Sequence, residues 1–172
     1  MTLSGHLHAQ HITTEQITES ANLTDIVTGA FAVYPNPFAE ITLDKQQFQY
    51  DFRTLDMDSW LADQDNLNKD LVAYHQYMLD LFSATSNQVA LDNIIVGHAY
   101  SETQKQNTLD MFREVNLATF TGNMQAEYTG IIERYGELIE ELAEYQNDFF
   151  ISNVLEMLDM HTENHRQLDI IW

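Results

Sequence analysis

The chain predicts an all-α fold: a bundle of about five or six helices with an extended N-terminal arm and one short β-hairpin. Three observations carry that prediction. Apolar residues recur at alternating steps of four and three along most of the chain, the spacing that gathers them on one helix face. Cap residues stand where several of those stripes begin. Only two prolines and six glycines occur in 172 residues, too few for a turn-rich sandwich. The expected organisation is an arm over 1–12 followed by a single helical domain over 13–172.

The arm is read from alternation. Leu3, Gly5, Leu7 and Ala9 lie on one side and Thr2, Ser4, His6, His8 and Gln10 on the other, as in an edge strand. Thr13 with Gln16 resembles a capping box, and Leu23, Val27, Ala30 and Tyr34 then predict a first helix over about 14–33, ended by "YPNP". In "FAEITLDKQQFQYDF" β-formers flank a polar turn, which predicts the hairpin. Asp58 is an N-cap candidate for a helix over 59–84 that carries Trp60, Gln64, Leu67, Leu71, Tyr74, Met78 and Leu81 on one stripe. "SATSN" interrupts that stripe, "QVALDNIIVGHAY" predicts a shorter helix, and Thr103 caps another running to Phe120. Gly122 and Asn123 break the pattern.

The most regular stripe is Met124, Tyr128, Ile131, Tyr135, Leu138, Leu142, Tyr145 and Phe149, flanked by Glu133, Glu137, Glu140, Glu141 and Glu144. A last stripe, Ile151, Val154, Leu158, His161, His165, Leu168 and Trp172, is out of phase with it by one residue. One residue rotates a helix face by about 100°. Either the helix breaks near "QNDFF", with Asp148 capping a last helix that carries this stripe, or one long helix changes the partner it packs against there; the break is the favoured expectation.

Seven Lys and Arg against 27 Asp and Glu give a formal charge of −20, which repels phosphate backbones and anionic lipid. The expected partners are other protein subunits, with basic surfaces favoured, in an oligomer or complex that excludes direct contact with nucleic acid or membrane. The absence of cysteine rules out disulfides and thiolate metal sites. The opening "MTLSGHLHAQHITTEQ" lacks a basic and an apolar region of a signal peptide, and no apolar run reaches the 18 or so residues of a membrane span. A cytoplasmic or virion location is the expectation.

No phosphate-cradling glycine loop, nucleotide fingerprint or nucleophile elbow occurs. "DMDSWLADQDN" lacks the central glycine and closing glutamate of a calcium loop and is read as an acidic helix start. His161 and His165, four residues apart, would share a helix face and could bind one metal through adjacent rings. Di-iron bundles of the ferritin type need Glu three residues before His, and none of the seven histidines has it. The order His75, then His98 with Glu102, then His161 with His165 resembles the hemerythrin-like bundles at five of seven ligand positions, the closing His and Asp being absent. That resemblance implies iron; a simpler imidazole and carboxylate set would take zinc. His6, His8 and His11 could chelate along the arm.

With no catalytic constellation and with long seams, the leading expectation is a cofactor-free, non-enzymatic structural or adaptor subunit of a larger assembly such as a virion. The alternatives are a His/carboxylate metal-binding bundle, with His161, His165, His98, Glu102 and His75 as ligands, and an acidic inhibitor that occupies a partner's basic site.

Overall fold

The computed structural model describes residues 1–5, 9–65, 71–96 and 99–171. The fold is mixed α and β, with two three-stranded sheets and a set of helices, so the all-α expectation fails. The chain divides into two compact units, residues 1–83 with 165–172, and residues 84–164.

Among the described residues, the strands all lie in the first unit. Its first sheet comprises β1 (Thr2–Ser4), β2 (His11–Thr18) and β3 (Ala21–Val27), ordered β1-β3-β2, with β1 parallel and β2 antiparallel to β3. Residues 14–33 were expected to be helical, yet β2 and β3 form a hairpin there. Ile12, Thr13, Thr14, Ile17, Thr18, Thr24, Ile26 and Val27 are β-branched, which restricts χ1 and suits a pleated surface. Ile12 and Ile26, paired across the two strands, bury their side chains, while Thr13 and Asp25 face the other side. Within the segment read as an extended arm or edge strand, Thr2–Ser4 form β1 and pair with β3 of the chain's own sheet.

The second sheet is β4 (Pro37–Leu43), β5 (Gln47–Thr54) and β6 (Gln167–Ile171), in that order and antiparallel throughout. The β4–β5 pair is the expected hairpin, closed by Asp44, whose carboxylate accepts from the backbone N–H of Gln46 (2.7 Å) and Gln47 (3.0 Å). Phe48, Tyr50 and Phe52 alternate inward along β5 and meet Ile12 and Ile26 in one apolar core, with Leu168 and Ile170 packed against it.

The helix expected over 59–84 is two helices. α1 (Met57–Ala62) is capped by Asp56 rather than Asp58, and α2 (Tyr74–Ala90) runs straight through "SATSN". Ser83 is accommodated because its hydroxyl donates to the Leu79 carbonyl at 2.8 Å. Leu67 lies outside the described residues.

The second unit contains the remaining helices: a turn of π-helix over Leu91–Ile95, then α3 (Glu102–Phe120), α4 (Met124–Ala143) and α5 (Phe149–Asp159). Ser101, not Thr103, caps α3 through a capping box with Gln104. Gly122 turns the chain at φ 67. Met111, Val115, Met124, Ile131, Leu142, Ile151 and Val154 form the buried core, with Leu138 partly buried beside it. Each such side chain contributes about 1.5–3 kcal/mol by leaving water. Asp148 caps α5 as expected, accepting from Phe150 and Ile151 backbone N–H groups at 2.9 and 3.2 Å.

The last stripe, through Trp172, was expected to lie on one helix; α5 stops at Asp159, a short 3-10 turn follows, and β6 then joins β5. Among the described residues, no helix is long and apolar enough to cross a membrane.

Candidate functional site

Of the five proposed metal ligands, His98 lies outside the described residues, and His161, His165, Glu102 and His75 are found as follows. His161 sits on the 3-10 turn after α5, stacked on Tyr128 at a ring-centroid distance of 3.7 Å, with its Nδ1 2.8 Å from the Leu158 carbonyl. His165 belongs to the other unit and is 1% exposed; its Nδ1 lies 3.1 Å from the Ile12 amide nitrogen and 3.0 Å from the Ile12 carbonyl. The tautomer decides which of those two bonds forms. Glu102 is an exposed partner of Lys105 at 2.7 Å. His75 opens α2 in the first unit, and His98, His6 and His8 lie outside the described residues. Among the described residues no three His, Asp or Glu side chains are placed to hold a metal ion. The shared helix face assumed for His161 and His165 vanishes because the helix ends between Leu158 and His161.

Three polar centres stand out instead. In the first unit, Gln10 is fully buried; its amide donates to the His165 carbonyl and accepts from the Tyr50 hydroxyl at 3.1 Å. Tyr50 also shares a hydrogen bond with Thr28 at 2.9 Å. Burial pushes the Tyr50 phenol up, opposed by those two hydrogen bonds. This network ties the start of β2 to β5 and to the approach to β6.

In the second unit, Glu114 of α3 accepts from the Arg134 guanidinium (2.5 Å) and from the Tyr135 hydroxyl (2.9 Å), both on α4. The carboxylate raises the Arg134 pKa, and burial followed by Glu114 raises that of Tyr135. Gly130 leaves room for the guanidinium, since a Cβ there would lie 3.1 Å from it.

The third centre is a cavity of about 330 Å³ in the first unit, lined by Asn36, Thr54, Asp56, Asp58, Tyr74 and His75, with Leu55 and Met57 as its apolar wall. Local chemistry builds it. The "YPNP" turn places Asn36 at φ 59, a left-handed conformation that asparagine tolerates, and the Asn36 carbonyl accepts from Leu55 N–H at 3.1 Å. Ala73 adopts φ 73 just before α2, an uncommon value for a residue with a Cβ. Asp58 accepts the His75 backbone N–H at 3.1 Å, and His75 Nε2 lies 3.2 Å from the Tyr34 hydroxyl. The Ser59 hydroxyl, its backbone N–H and the nearby His75 together hold the Asp56 carboxyl below its ordinary value. This cavity is one candidate site among the described residues.

Of its lining, sequence reasoning named His75 as a metal-ligand candidate, Asp58 as a helix cap and Tyr74 as a residue of a helix stripe, each a different role. "YPNP" was read as a helix stop and "DMDS" as a helix start. The signal that could have found the site is the pairing of a proline-flanked asparagine with an Asp-x-Asp-Ser run.

Residues 56–161, more than half of the chain, match the sequence model of the family described as the C-terminal domain of cyclic nucleotide phosphodiesterase. No curated protein matches the chain. The family match overturns the expectation of a non-enzymatic virion or adaptor subunit: the long seams bind together the helices of an enzyme-related domain.

Proposed function

We propose, from the premise that this chain belongs to the family of C-terminal domains of cyclic nucleotide phosphodiesterase, that it serves as such a domain in an enzyme opening cyclic nucleotides. The reaction of that class adds water to the ring phosphodiester and breaks one P–O ester bond, which leaves a nucleoside monophosphate. The observation that carries the reading is the extent of the match. It starts at Asp56, the N-cap of α1, and ends at His161, so among the described residues it takes in α1 to α5 and none of the strands β1 to β6.

On this reading the partner surface expected from the acidic composition is the catalytic part of the same enzyme. Cyclic AMP and cyclic GMP would be offered to that part with and without this chain, the product being followed by phosphorus NMR. Hydrolysis should be faster, or should survive heating longer, when the chain is present, and core disruption by Leu142→Ala should remove the benefit. Equal rates and equal heat resistance with and without the chain would overturn the reading.

A further inference from the structure

We infer that the outer edge of β4 is the surface on which a second copy of this chain docks, strand to strand, so that two sheets of the order β4-β5-β6 join into one. Backbone alternation decides what that edge offers. At the two ends of the hairpin, Asp44 donates its N–H to the Gln47 carbonyl at 3.0 Å and Leu55 donates its N–H to the Asn36 carbonyl at 3.1 Å. Every second residue of an antiparallel pair bonds to its neighbour, so in the register of β4 and β5 it is Phe38, Glu40 and Thr42 that bond to β5. Ala39, Ile41 and Leu43 therefore turn their N–H and C=O groups away from it, and among the described residues nothing pairs with those groups. Their side chains share the face of Phe52, Tyr50 and Phe48, which are buried in the core. Ile41 and Leu43 on that same face are 43% and 67% exposed, so an apolar shelf runs along an unpaired strand edge.

The other edge strands are blunted. β1 has three residues, and β6 has five with Asp169 in its middle. β2 shifts register between Gln16 and Thr18, and the His165 ring occupies its backbone at Ile12. β4 keeps a regular register over seven residues and carries one charge, Glu40, which Arg53 neutralises at 3.1 Å.

The occupant follows from the complementarity of this strand to itself. Two β4 strands set antiparallel about a twofold axis at Ile41 place Leu43 opposite Ala39 of the second copy, large against small, and Ile41 against Ile41. That register pairs both backbone groups of all three outward residues and sets Glu40 opposite Thr42. An axis at Glu40 would instead oppose two carboxylates and face Leu43 with Pro37, which has no N–H to give. With Lys45 and Arg53 against Glu40, Asp44 and Asp51, the hairpin is close to charge balance although the chain carries −20, so a second copy meets little repulsion there. β4 precedes the family-matched residues 56–161, and this surface goes beyond the function proposed above.

Sedimentation equilibrium of the full chain over the micromolar range should show monomer and dimer in exchange, and the Ala39, Ile41 and Leu43 amides should exchange hydrogen more slowly as concentration rises. Because the chain has no cysteine, single introduced thiols report the register. Ile41→Cys lies on the axis, where a hydrogen-bonded pair holds its Cα atoms about 5.5 Å apart, and should oxidise to a covalent dimer. Leu43→Cys should not, since the two copies of that residue stand about 13 Å apart along the strands. A lysine on the axis, Ile41→Lys, should weaken dimerisation by about tenfold or more, with circular dichroism unchanged. If that variant does not fold, the exchange data and the two cysteine variants decide. The inference is overturned by a monomer throughout that range, by a dimer that Ile41→Lys leaves unaltered, by equal cross-linking of both cysteine variants, or by slowing of the three amides only when a different protein is added.

Discussion

Gln10 and Tyr50 offer the sharpest quantitative test of the first unit. Gln10 is fully buried between the His165 carbonyl and the Tyr50 hydroxyl, and Tyr50 is 1% exposed. Tyr50→Phe deletes a donor and leaves a buried amide oxygen without it, a loss of about 1–3 kcal/mol. Gln10→Leu withdraws the donor from the His165 carbonyl but lets Tyr50 keep Thr28, so a similar loss, about 2 kcal/mol, is expected. In the double variant the orphaned amide oxygen no longer exists. The double variant should therefore cost less than the sum of the singles by about 1 kcal/mol, the coupling typical of contacting polar groups. The assay is native-state hydrogen exchange at the Ile12 and Phe52 amides, which bond near His165 and to the Arg166 carbonyl. A loss of 2 kcal/mol accelerates exchange about 30-fold. Additive single effects, within about 0.3 kcal/mol, would show that the two side chains do not act as one network.

In the second unit Leu142, 1% exposed, should lose about 3 kcal/mol on truncation to alanine, while exposed Glu140→Ala stays within about 0.5 kcal/mol; urea titration followed by circular dichroism compares them. Asp25, held below its ordinary pKa first by the Thr2 hydroxyl and then by Ser4, should titrate back toward the usual carboxylate value in Thr2→Val, as read by carboxyl-carbon NMR. Because its folded pKa is the lower one, its stabilising effect is present above the unfolded value near 3.8 and disappears as pH falls through the folded value. Deleting residues 165–172 removes β6 and His165, so exchange protection should collapse at Phe48, Tyr50 and Phe52 while α3, α4 and α5 remain protected; retained protection on β5 would show β6 to be dispensable.

The features legible in the sequence were those decided within a few residues. Asp148 caps α5 because its carboxylate reaches N–H groups two and three residues on, and the α4 seam follows from 3.6 residues per turn. Asp44 closes the β4–β5 hairpin by the same local logic. Leu23 and Val27 satisfy a helical spacing and also lie along an alternating strand, so their pattern alone could not choose. Pairing with β1 and β2 did, since β-branched neighbours fit a sheet once partner strands exist. The stripe through Leu158, His161, His165 and Leu168 likewise fitted one helix, yet β5 offers the last segment a complete hydrogen-bonding edge that is more than a hundred residues away in the chain. That edge, and with it the burial of His165 and Gln10, arises only when distant segments meet, because backbone hydrogen bonds between strands carry no signature in the spacing of either strand taken alone.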